Sequence, residues 1–402
     1  MKFNIHIQRD NTGTIKREMT SKSEHIKVMS LFANIGVAEA YFAENNIDVV
    51  LANELIPKRA KLYQAIYPET EMICGDITSE DILSTLEKRG KLYGVDVIMA
   101  TPPCQGMSTA GQKIKFDERN SLVMPALKLI NKLKPKFAVI ENVPDFRITS
   151  IIYKGKETLL PDVVREELQQ LYNVDVHIIN TDDYSVPQTR ERMIILISRK
   201  DQKEIWTLPK KDENKITMRD AIGSIKPIDP YVKDITPEEM KALFPYYEER
   251  KKEALLVSKW NQPPVHIYRQ VMAMRYTPSG CTAFDNADKH KPTKVDGSRV
   301  RGYHNTYKRQ NWDTPAYTIT MDNRKISSQN NVHPGRFLGV DENGEAIYSD
   351  PRALTLYEIM KIMSLPDNWA IPDDTEEAFL RRIIGEGIPP LFMLKLFKKI
   401  PK

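Results

Sequence analysis

Residues 95–108 read VDVIMATPPCQGMS. The first part, Val95–Ala100, is rich in Val and Ile and reads as a buried strand. Pro102 and Pro103 lack the amide hydrogen that a ladder needs, so the chain leaves the sheet there and Cys104 falls on an irregular loop at a strand end. Such loops carry chemistry in open α/β sheets. A lone cysteine is more often a small buried apolar residue, but the next apolar strand argues otherwise. Phe137–Ile140 runs directly into Glu141, Asn142, Val143 and Pro144. A carboxylate at that strand end is set to meet Cys104 over the same sheet edge.

The same strand-and-helix grammar extends upstream. Val28–Ala33 reads as a first strand, followed by Asn34, Ile35 and Gly36 and a helical pattern over Val37–Glu44. A turn of this kind sets backbone N–H groups and a helix start against a nucleotide-like cofactor, and glycine permits close approach. Asp48–Asn53 forms a strand ending at Glu54, Lys58–Tyr67 is helical, and Glu71–Cys74 is a short strand ending near Asp76. In a dinucleotide-type fold, an acid after the second strand accepts from ribose hydroxyls, and one after the third can hold an adenine amino group. Downstream, helices are expected at about 119–133 and Asp162–Leu171, and strands at Val174–Asn180 and Met193–Ser198. The polar stretch Gly111–Glu118, between the cysteine loop and the first of these helices, has the character of a loop that closes over substrate.

Composition sets the outer bounds. The chain has 402 residues, 41% of them hydrophobic, enough for one large domain and a smaller one. Its 59 Lys and Arg against 54 Asp and Glu give +5, which permits a nucleic-acid partner without demanding one. Cys74, Cys104 and Cys281 are odd in number and far apart, against a disulfide framework or a Cys-rich zinc site. No apolar run reaches the roughly 20 residues of a spanning helix, and Met1–Asn11 lacks a signal-peptide core, so a cytoplasmic protein without membrane attachment is expected.

Taken in order, the Pro-Cys-Gln loop, the Glu-Asn-Val strand end and the block Gln188-Thr-Arg190-Glu-Arg192 resemble the cytosine-5 DNA methyltransferases. The resemblance implies a Rossmann-like α/β S-adenosylmethionine-dependent fold, a mostly parallel sheet with helices on both faces, plus a smaller target-recognition domain. It divides the chain into an N-terminal extension (1–27), a catalytic and cofactor-binding domain (28–199), a target-recognition domain (200–350) and C-terminal helices that return to the catalytic domain (351–402). It places S-adenosyl-L-methionine, leaving as S-adenosyl-L-homocysteine, against Phe32, Asn34, Ile35, Gly36, Glu54, Asp76, Ile77, Pro103, Leu122, Glu386 and Gly387. Cys104, Glu141, Arg190 and Arg192 take the catalytic positions, and no metal is implied. Two positions depart from the family pattern: Asn34 where a glycine is usual and Glu386 where an asparagine is usual. Asn tolerates a positive φ, and a carboxylate accepts but cannot donate as an amide does.

From Lys200 to about Asp350 prolines are frequent and hydrophobic periodicity breaks. The span holds Lys289, Lys291, Lys294, Arg299, Arg301, Lys308 and Arg309 interleaved with Tyr303, His304, Tyr307 and Trp312, a pattern suited to phosphate and base contacts although such runs are usually solvated faces. The DNA-binding set expected from pattern and resemblance is Gln105, Ser108, Gln188, Arg299, Arg301 and Tyr303. The activity implied is DNA (cytosine-5-) methylation, by a monomer acting on double-stranded DNA beside a restriction endonuclease that shares its target. Two alternatives stay open: an RNA cytosine methyltransferase on the same scaffold, and a catalytically silent DNA-binding homologue.

Overall fold

The computed structural model describes residues 25–103, 118–262 and 264–401, the side chains of residues 118 and 119 excepted. The catalytic half alternates strand and helix: β1 Ile26–Leu31, β2 Ile47–Glu54, α1 Pro57–Ile66, β3 Glu71–Cys74, α2 Glu80–Tyr93, β4 Val97–Ala100, α3 Val123–Leu133 and β5 Phe137–Asn142. A hairpin of β6 Ser150–Tyr153 and β7 Lys156–Leu159 follows, then α4 Leu160–Leu168, β8 Tyr172–Asn180 and β9 Glu191–Arg199. Seven strands form one sheet in the order β3-β2-β1-β4-β5-β9-β8. The first five are parallel, and β9 runs antiparallel to both β5 and β8. This is the doubly wound α/β fold expected.

Both faces are buried, and strand alternation decides which residue goes where. On one face Met29, Leu31, Ile98, Ala138, Ile140, Ile195 and Ile197 pack under α2, α3 and α4. On the other, Val28, Val97, Met99, Val139, Ile194 and Leu196 are covered by Trp206 and by the last helix, Pro390–Phe397. The chain's final helix therefore supplies half of the cover of a strand more than 350 residues earlier.

The expected helix over Val37–Glu44 is instead two short 3-10 turns, Val37–Glu39 and Ala43–Asn45. The segment sends Val37 into one core and Phe42 into another before returning to β2. Residues 80–93, without an assignment from sequence, form the helix α2.

Two further clusters organise the rest. One unites the first turn and α1 (Ile35, Val37, Leu62, Ile66) with Met218, Ile222, Trp312, Ile319 and the helices Leu356–Ile362 and Glu377–Glu386. The other, Val232 to Val332, lies wholly within the proline-rich segment and gives it a core of its own. Trp206, Met218, Ile222, Trp312 and Ile319 of that segment thus pack with the rest of the chain, while the cluster from Val232 to Val332 is made by the segment alone. A fully buried ionic cluster marks the junction: Arg352 pairs with Asp350 at 2.8 Å and with Glu358 at 2.9 Å.

Candidate active site

The turn after β1 alternates positive φ angles: +58° at Phe32, +53° at Asn34 and +78° at Gly36. Asn34 thus adopts the conformation for which its side chain is suited. Glycine is required at position 36 twice over, because a Cβ there would also run into the rings of Tyr67 and Tyr63. The Tyr67 hydroxyl donates to the Gly36 carbonyl at 2.6 Å and accepts from Trp369 Nε1 at 3.0 Å. Beneath the turn the Glu39 carboxyl, fully buried and bonded to the Tyr63 hydroxyl, has its pKa pushed up to about 7 by burial.

Glu54 ends β2 and is buried. Its two oxygens accept from the Ile56 and Asn34 amides, each at 2.9 Å, and a carboxylate has lone pairs left for further donors. Asp76 is exposed after β3, with Oδ1 accepting from the amide and hydroxyl of Thr78. The side chains of Ile35 and Ile77 are both buried in hydrophobic clusters. Pro103 and Leu122, at the ends of β4 and the head of α3, are half-buried. At the far end of the chain, a Cβ on Gly387 would meet Val37, and Asn34 Nδ2 donates to Glu386 Oε2 at 3.3 Å. The two positions that depart from the family pattern touch each other. Two acids at strand ends and a glycine turn without room for a side chain fit a nucleoside with hydroxyl and amino donors.

The chemical edge lies beside it, between β4, β5 and β9. Glu141 Oε1 sits 2.9 Å from Arg192 Nε, each side chain about 12% exposed. Burial raises the Glu141 pKa, and the charges of Arg192 and Arg190 oppose that rise. Register explains the pairing: Glu141 stands opposite Ile194 in the antiparallel ladder, so Arg192 is its diagonal neighbour on the same face. Asn142, without a role assigned from sequence, donates from Nδ2 to the Pro102 carbonyl at 3.0 Å and accepts from the Val143 amide at 2.8 Å. Thr101 adds a bond from its hydroxyl to the Phe32 carbonyl at 3.2 Å. The start of the proline loop is thereby tied both to the strand that carries Glu141 and to the turn after β1. Cys104, Gln105, Ser108 and the polar stretch 111–117 lie outside the described residues, as do residues 1–24.

Several expectations need correction. Arg190 is buried, with Nη1 donating to the Ile319 carbonyl at 2.8 Å and Nη2 to the Gly385 carbonyl at 2.9 Å, while its charge still acts on Glu141 together with that of Arg192. It locks the C-terminal turn to the entry of β9. Gln188 is fully buried, its Oε1 accepting from the Ile319 amide at 3.0 Å, so it cannot be a DNA contact. Arg309 leaves the cationic face altogether. It is fully buried, and its guanidinium serves four carbonyls, of His333, Asp350, Met274 and Ser349. Tyr307 and Trp312 are likewise core residues. Arg299, Arg301, Tyr303 and His304 remain exposed. Arg301, Tyr303 and His304 line one open cavity with Phe284 and Val300, while Arg299 pairs with Asp288 at 3.0 Å.

Fold and site together define a doubly wound α/β protein with a glycine-bearing turn at one part of the sheet edge and a buried acid–arginine pair at another. The sequence matches the family of C-5 cytosine-specific DNA methylases over residues 26–402, and the chain belongs to that family. It is 39% identical over 382 residues to the Type II methyltransferase M1.HgaI of Avibacterium volantium, covering 94% of this chain and 98% of the relative. The Type II methyltransferase M1.HphI of Haemophilus parahaemolyticus is 24% identical over 93% of this chain and 86% of its own. Among solved structures, a putative DNA modification methyltransferase encoded within an E. coli prophage superposes with a TM-score of 0.61 at 20% identity, covering 93% of this chain and 98% of that one. No helix among the described residues is long and apolar enough to cross a membrane.

Proposed function

We propose that this protein methylates carbon 5 of cytosine within a specific duplex sequence and is the modification enzyme of a restriction–modification system. The observation that carries the reading is the buried Glu141–Arg192 pair, set beside a proline loop that leads in sequence to Cys104. Its Type II relatives support the restriction–modification setting and DNA as partner. Phe32, Asn34, Gly36, Glu54, Asp76 and Gly387 would hold S-adenosylmethionine, whose sulfonium supplies an electrophilic methyl group.

Carbon 5 of cytosine is too weak a nucleophile to take a methyl group unaided. The Cys104 thiolate adds to carbon 6, forming a carbon–sulfur bond and pushing an electron pair toward ring nitrogen 3. Glu141, with its raised pKa, shares a proton with that nitrogen and stabilises the enamine, so that carbon 5 becomes nucleophilic. Arg192 fixes the carboxyl in place. After transfer, a base removes the carbon 5 proton and the thiolate leaves, which restores the ring double bond. Carbon 6 is covered inside a stacked duplex, so the cytosine has to be flipped out at a cost of a few kcal/mol, offset by contacts to the opened duplex. We assign the reading of that duplex to the body built around Val232–Val332, with Arg299, Arg301 and Tyr303 on its exposed surface.

Bisulfite sequencing of the genome after expression in an unmethylated host tests the activity: new methylated cytosines in one sequence context are expected, and their absence overturns it. Duplex carrying 5-fluorocytosine tests the chemistry. Wild type should form a denaturation-resistant adduct and Cys104→Ser should not, because a hydroxyl is far less ionised than a thiol near neutral pH.

A further inference from the structure

Five groups close a ring at the head of the sheet. The Ile56 amide donates to Glu54 Oε1 at 2.9 Å, and Glu54 Oε2 accepts from the Asn34 amide at 2.9 Å. Asn34 Nδ2 donates to Glu386 Oε2 at 3.3 Å, and the same oxygen lies 2.9 Å from Arg59 Nη2. Arg59 stands in the first turn of α1, and its amide donates to the Ile56 carbonyl at 2.9 Å, which returns the path to its start. The members lie on β2, on the turn after β1, on α1 and at the end of the helix Glu377–Glu386. Arg59 and Glu386 are each about 17% exposed at the side chain, so their ion pair is largely shielded from solvent. Glu386 is gripped from behind as well, since Arg190 Nη2 donates to the Gly385 carbonyl at 2.9 Å.

The residue of the turn that this ring reaches is Asn34. It is a residue with a Cβ held at a φ of +53°, between Phe32 at +58° and Gly36 at +78°. Such a conformation persists in a non-glycine residue when surrounding contacts over-determine it. Asn34 receives two such contacts: its amide goes to Glu54 and its side chain to Glu386, which Arg59 holds.

We infer that Arg59 is a positioning residue for the cofactor turn, acting through the Glu386 carboxylate on Asn34 and keeping the turn in its ligand-ready shape. This rests on the reading that the turn holds S-adenosylmethionine. The alternative is an ion pair that merely fastens the C-terminal helix to α1. That role would change stability, but it would not depend on which residue occupies position 34.

The test uses the full-length protein and calorimetric binding of S-adenosyl-L-homocysteine, so it reads affinity apart from turnover. Arg59→Met should raise the Kd about tenfold, equivalent to about 1.4 kcal/mol. Asn34 is itself part of the turn, so Asn34→Gly sets its own baseline affinity. On that background Arg59→Met should change the Kd by no more than about threefold, since glycine reaches positive φ unaided and leaves Arg59 nothing to brace. In kinetics, the same loss should appear in the KM for S-adenosylmethionine with kcat held to within about twofold. If Arg59→Met does not fold, as judged by its circular dichroism melt without cofactor, Arg59→Lys gives a milder loss that Asn34→Gly should again erase. Wild-type affinity in Arg59→Met, or a loss that Asn34→Gly leaves in place, overturns the proposal. A wild type that does not bind S-adenosyl-L-homocysteine overturns the cofactor reading beneath it, and is told apart because the failure then precedes any substitution.

Discussion

Replacing Glu141 by Gln removes a titrating proton while keeping the size and shape of the side chain. In the native site the carboxylate is buried with Arg192 Nε 2.9 Å away, and burial lifts its pKa. A group so placed keeps its proton to a higher pH than an exposed carboxyl does, which favours the state needed to share one with ring nitrogen 3. An amide can still donate a hydrogen bond, but it cannot take up or release the proton. Loss of a positioned acid–base group costs about 10²–10⁴ in rate, or about 3–5 kcal/mol of barrier. The fold should lose less. The substitution removes a buried charge together with its pairing to Arg192, and these changes partly offset, leaving about 1–3 kcal/mol. Single-turnover transfer of labelled methyl to a duplex hairpin reads the chemical step, and fluorescence anisotropy reads duplex affinity. The rate should fall at least about 100-fold while the duplex Kd stays within about threefold. Wild-type activity should also decline on the alkaline side as Glu141 gives up its proton, and the Gln variant should lack that limb. Equal losses of rate and duplex affinity would place Glu141 in binding and refute the reasoning.

The cationic segment should divide in two. Arg299→Ala with Arg301→Ala should weaken duplex binding and flatten its salt dependence without changing S-adenosyl-L-homocysteine affinity, whereas Arg309→Met should lower the melting temperature because four carbonyls lose their donor; unaltered duplex binding in the first variant would move the recognition surface elsewhere in residues 200–350. Gly36→Ala should abolish cofactor binding, since the added methyl meets Tyr67 and Tyr63 at a φ of +78°, and calorimetry with near-native affinity would contradict the turn's role. His333, fully buried near Asp350, Glu358, Arg352 and Arg309, has its pKa held down to about 4 by burial. With an unfolded value of 6.5, the unfolded chain takes up the proton first, so stability present above pH 6.5 is lost as pH falls toward 4, by up to about 3 kcal/mol. His333→Asn, which can still accept from the Gly335 amide, should flatten that slope in denaturation at pH 7, 6 and 5, and an unchanged slope would show that His333 does not set it.

The sequence by itself pointed to the α/β sheet, because short Val- and Ile-rich runs such as Val97–Ala100 and Phe137–Ile140, apolar at every position and bounded by turn residues, read as strands buried on both faces. It also marked the strand ends that matter. Pro102 and Pro103 cannot continue a ladder, and Glu54 and Glu141 sit where an apolar run stops. What it could not decide was the fate of charge far from those ends. Arg299, Arg301 and Arg309 read alike along the chain, yet the first two are exposed while Arg309 is enclosed by carbonyls from residues 274, 333, 349 and 350. Gln188, expected at the DNA, and Arg190, expected at the active site, form the joint between β9, Ile319 and the C-terminal turn, which nothing in their local sequence announced. Only tertiary structure could bring Asn34 and Glu386 together across 352 positions of sequence and set Arg59 against them. Local propensity fixes which residues form a strand, but burial of a charge depends on which distant backbone groups arrive to satisfy it.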